Sequence, residues 1–118
     1  MRDLKKMRER FMKDSVPVRL GNIASEILRL GGWMMDARMD SAAIKQVRMI
    51  AWLLEWSGDT GRPELADMQR ELCRWRRTGI PRDGRMPYVL RAREMSDQIL
   101  NLSGLLGQQS HIGIESQK

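Results

Sequence analysis

Apolar side chains recur every three or four positions along most of this chain, and that spacing leaves it little choice but to build helices packed side by side. The recurrence gathers those side chains on one side of a helix of about 3.6 residues per turn, whereas a half-buried strand needs strict alternation. No segment alternates over a useful length. Four stretches carry the helical pattern. In the first, Pro17 suits an opening turn, and Leu20, Ile23, Ala24, Ile27, Leu28, Gly31, Met34 and Met35 follow as one stripe. Gly31-Gly32 weakens its middle, since each glycine costs ~1 kcal/mol relative to alanine there, and marks a kink or a close helix contact.

Asp40-Ser41 reads as the cap of a second helix running to about Trp56. That helix is apolar around most of its circumference. Only Lys45, Arg48 and Glu55 form a narrow charged strip, and Trp52 lies within it. A helix so apolar is either central or shared with a partner. Ser57 to Gly61 is a turn, and Pro63 restarts a third helix with a Leu65, Met68, Leu72, Trp75 seam. Gly79 and Pro81 stop it. Pro87 opens a fourth, where Val89, Ala92, Met95, Ile99, Leu102 and Leu106 keep heptad spacing until Gly107.

The expected fold is therefore all-α, an up-down four-helix bundle over residues 16–107. A basic arm or short helix over residues 1–15 precedes it, and a disordered tail over residues 108–118 follows. The arm holds Lys5, Lys6, Arg8, Arg10 and Lys13, diluted by Asp3, Glu9 and Asp14. That mixture favours a mobile, solvated arm over one lying on an anionic membrane. The 118 residues suffice for one modest core. The longest apolar run, Met49 to Leu54, is far short of the ~20 residues of a membrane span. A single cysteine, Cys73, forms no intrachain disulfide and suits a reducing compartment, so a cytoplasmic location is expected.

Catalytic chemistry finds little to build on. The one histidine, His111, falls in the expected tail, where a general base cannot be held to its proton. Cys73 has arginines nearby in sequence but no fixed histidine to pair with, and reads as a passive thiol. Glu64, Asp67 and Glu71 share one helix face, yet no Glu-x-x-His accompanies them, and a solvated acidic face paired with arginines explains them. No zinc-type cluster and no phosphate-cradling glycine loop occurs. No enzyme, cofactor, metal site or small-molecule substrate is expected.

Charge and tryptophan are the informative features. The net charge is +6 and sits in two blocks. One is the arm. The other is residues 74–93, where Arg74, Arg76, Arg77, Arg82, Arg85, Arg91 and Arg93 face Asp83 alone. Antiparallel packing of the third and fourth helices would bring these arginines to one end, with Trp75 and Tyr88 among them to stack on bases. The ordinary alternative is a solvated, salt-bridged end, and Arg74, Arg76 and Arg77 also suit a helix C-terminus. Of the four tryptophans, Trp52 and Trp56 are one turn apart on the second helix, beside Met49 and Leu53. Those four residues are either core or an oligomer seam.

The expected function is a non-enzymatic protein-interaction or adaptor module, homodimeric through the second helix. The alternative is a nucleic-acid-binding helical protein using its arginine-rich end, with an acidic protein as another possible partner for that end. Leu54-Glu55-Trp56, Glu64-Leu65-Ala66-Asp67-Met68-Gln69-Arg70, Arg74-Trp75, Ala92-Arg93-Glu94-Met95-Ser96-Asp97 and Ser103-Gly104-Leu105-Leu106 resemble a group of small uncharacterised helical proteins of photosynthetic bacteria. The resemblance covers roughly the second half of the chain. It implies a helical, cytoplasmic, non-enzymatic protein and brings no site residue with it.

Overall fold

A computed structural model describes residues 3–104. The chain is all-helical, with five α-helices and no strand among the described residues: α1 (Leu4–Met12), α2 (Val16–Met34), α3 (Asp40–Trp56), α4 (Pro63–Thr78) and α5 (Met86–Ser103). Four of them lie where the helical pattern is expected, and α1 falls in the segment expected as an arm or short helix. Single 3-10 turns at Ala37–Met39 and Gly58–Thr60 lead into α3 and α4.

The basic N-terminal segment is a docked short helix and not a solvated arm. Asp3 caps it by accepting from the Lys6 backbone N–H at 3.2 Å. Its one buried residue, Phe11, packs on Trp56 of α3 with ring centroids 6.1 Å apart. The charged residues of α1 stay outside. A nine-residue helix is marginal alone in water, so this docking holds it.

α2 is the centre of the molecule, with α5 on one side and α3 on the other. Its buried arc includes Leu20, Ile23, Ala24, Ile27, Leu30, Gly31 and Met34. The arc is turned from the expected stripe: Leu30 is inside, while Leu28 and Met35 are exposed. Two helix neighbours, rather than one core, set that phase. α2 and α5 approach closely through small residues. A Cβ on Gly31 would lie 3.6 Å from the Ala92 Cβ, and the Ser96 hydroxyl donates to the Ala24 carbonyl at 2.8 Å. The expected close contact at the glycine pair is thus at Gly31.

α3 is overlaid by α1, α2 and α4, which accounts for most of its apolarity. Asp40 is not its cap. Met39 holds that position, and Asp40 lies in the first turn, where a carboxylate suits the helix dipole. The expected α4 seam of Leu65, Met68, Leu72 and Trp75 is buried throughout. α5 ends earlier than Gly107, because Gly104 takes the left-handed conformation (φ 81°) that closes a helix. The expected tail over residues 108–118, with His111, lies outside the described residues. No helix among the described residues is long and apolar enough to cross a membrane.

Candidate interaction surface

The four residues expected to form an oligomer seam on α3 part company. Leu53 is buried in the core and available to no partner. Trp56 is half-buried under Phe11 of α1, so the chain itself covers that end of the helix. Met49 and Trp52 remain half-exposed. They line an open groove of about 680 Å³ with Leu4 of α1, Trp33 of α2 and Ala42 of α3. Lys45 and Arg48 border it, and the Arg48 guanidinium lies over the Trp52 ring, 4.9 Å from its centroid. That stacking fixes the indole at the surface. Leu4 at one end of α1 borders the groove, while Phe11 at the other end packs on Trp56. At its floor the buried Gln46 ties α3 to α2, donating to the Glu26 backbone carbonyl at 3.0 Å and to the Glu26 carboxylate.

The arginine block separates in the same way. Arg85 leaves it altogether. Its guanidinium donates to both carboxylate oxygens of Asp40 at 2.7 and 2.6 Å and to the Met34 carbonyl at the end of α2 at 3.2 Å. It fastens three helix ends together and is only 12% exposed. The hydrogen bond from Arg85 holds the Asp40 carboxyl below the usual carboxylate range. Arg91 bridges α5 to α4, with its Nε 2.8 Å from Glu71, and also meets Glu94 at 3.2 Å. The Glu71 contact raises the Arg91 pKa further. Trp75 is buried, edge to face with the half-buried Tyr88 at 5.3 Å, so its indole offers no stacking platform. Arg74, Arg76, Arg77, Arg82 and Arg93 are exposed. Arg74 and Arg77 join Arg70, one turn earlier, along the outer face of α4 around a shallow depression beside Cys73.

Of the acidic face on α4, Glu71 belongs to Arg91 and Asp67 to Arg70. No group of three or more His, Cys, Asp or Glu side chains could hold a metal ion among the described residues.

Arg19 escaped the sequence reasoning. It is 5% exposed, at the foot of the molecule, and reaches Asp59 in the turn after α3 at 3.3 Å, the Met12 sulfur at 3.2 Å and the Phe11 face at 5.9 Å. Its Nε is buried without a partner among the described residues. One signal was present: a cation in the first turns of a helix opposes the dipole and needs a local reason.

No protein-family model, curated protein or solved structure matches this chain.

Proposed function

We propose that this chain is a non-enzymatic protein-interaction module whose docking surface is the outward face of α3 and the groove beside it. The reading treats α2–α5 as an up-down bundle that acts as a rigid frame. It rests on Trp52. This large aromatic, one turn before the end of α3, is stacked under Arg48 and half-exposed on a helix whose other apolar side chains are largely covered. Tryptophan and arginine are the residue types that most often dominate interface energetics, and an apolar groove rimmed by polar groups is the ordinary form of a docking site.

The test is the stability of the Trp52→Ala variant in chemical denaturation, at concentrations where the midpoint does not depend on protein concentration. A docking residue contributes little to the fold. The expected loss is about 1 kcal/mol or less, the worth of an exposed cation–π contact. A loss of about 3 kcal/mol or more, as for a core aromatic, would place Trp52 in the fold and remove the docking surface.

A second reading is polyanion binding by the outer face of α4, favoured by the exposure of Arg74 and Arg77 beside Arg70. Without Trp75 to stack, it would act through phosphate contacts alone, and affinity for RNA or DNA would fall steeply with salt. Fluorescence anisotropy with single-stranded RNA and duplex DNA tests it. Binding that an R74E/R77E variant weakens supports this reading, and no binding even at low salt ends it.

A further inference from the structure

The outward stripe of α3 is complementary to itself. Lys45, Arg48, Trp52 and Glu55 follow at steps of three, four and three residues, so they lie along one side of the helix. The order is cation, cation, aromatic, anion. We infer that the partner docking on α3 is a second copy of this chain, its α3 antiparallel to the first about a two-fold axis at the level of Ile50. The inference rests on the docking reading of this face. In that register Lys45 meets the partner's Glu55, and Arg48 meets the partner's Trp52. Symmetry makes each pair occur twice.

Three observations carry it. Lys45 and Glu55 are exposed, and neither has an ion-pair partner among the described residues. Ten residues apart on one helix, they stand ~15 Å from each other and cannot pair within a chain. The stripe is open to solvent: Lys45, Arg48 and Glu55 are exposed and Trp52 is half-exposed. Other registers are poorer. A parallel pairing sets Lys45 on Lys45 and Glu55 on Glu55. An antiparallel pairing one turn earlier sets Arg48 on Arg48. One turn later, Lys45 passes the end of the partner helix to the level of Asp59, which already belongs to Arg19. Glu55 shares a shallow depression with Arg62 but forms no ion pair there.

Sedimentation equilibrium on the full chain tests the arrangement, with wild type, K45E, E55K and an equimolar mixture of the two variants. Circular dichroism first confirms that each variant is folded. Wild type is expected to dimerise in the micromolar range. Each single variant creates two like-charge contacts and should dimerise about tenfold more weakly or worse. The mixture should regain wild-type affinity, since each variant carries the charge the other lacks. If wild type dimerises but neither variant alters its affinity, or the mixture restores nothing, the register is overturned. A wild-type chain that stays monomeric overturns self-association altogether. The stability of Trp52→Ala judges the docking surface separately in either case.

Discussion

Replacing Phe11 by alanine should undock α1 and leave the rest of the molecule folded. Phe11 is 7% exposed and is the only buried residue of α1, so the helix has one principal anchor. Returning such a side chain to water costs about 1.5–3 kcal/mol, and losing the ring pair with Trp56 about 0.5–1.5 kcal/mol more. Alanine is the better helix former, which gives back about 0.5 kcal/mol. The net is about 1.5–4 kcal/mol, or roughly a hundredfold more undocked α1 at the centre of that range. Undocked, nine residues do not hold a helix, so the segment unravels. Native-state hydrogen exchange reads this directly: backbone amides of residues 7–12 should lose protection by about that factor while those of α2, α4 and α5 keep theirs. Trp56 fluorescence should shift toward that of an exposed indole. Equal loss of protection in α1 and α5 would refute the reasoning, since it would make α1 part of one cooperative unit with the core.

Other substitutions separate the remaining contributions. Leu72→Ala, at a fully buried site of the α4 seam, should cost about 2–5 kcal/mol in chemical denaturation. Gly32→Ala adds a methyl group to open space within α2 and should raise the stability by up to about 1 kcal/mol, read in the same assay. The Asp40–Arg85 contact predicts a pH dependence. Because the folded Asp40 pKa is lowered, its contribution is complete above the unfolded value of about 3.9 and is lost as pH falls through the lower folded value. The Tm gap between wild type and Asp40→Asn should therefore be constant near neutrality and narrow in acid below that value. A gap that persists unchanged to strongly acidic pH would show that the ionised carboxylate is not its source.

The sequence was most legible where one helix meets one side of the core. On α4 the spacing of Leu65, Met68, Leu72 and Trp75 suffices, because a single arc is buried. On α2 the same rule misplaces Leu28 and Leu30, since two neighbours widen and turn the arc. For α1 the spacing left an arm and a short helix both open, because only Phe11 of that segment is buried and one side chain makes no stripe. The arginine block was visible as composition but not as geometry. The carboxylates that take up Arg85 and Arg91 lie 45 and 20 residues earlier in the chain, beyond any local pattern. On α3, Trp52 within the charged strip was legible, whereas the covering of Trp56 depended on where α1 would lie.

The pairing of α2 with α5 has a bearing on the order in which the molecule can be made. Ser96 and Ala24 bond across 72 residues of chain, and Gly31 faces Ala92 over nearly the same interval. Contacts at such separation are slow to find, since a long loop must close before they return anything. A ribosome releasing this chain exposes α2 well before α5. Until then the small-residue side of α2 faces water, and Met34 and Asp40 wait for Arg85. The α2–α5 pairing therefore waits until α5 has been made, and a chain cut short after α4 has helices without the strip that joins them.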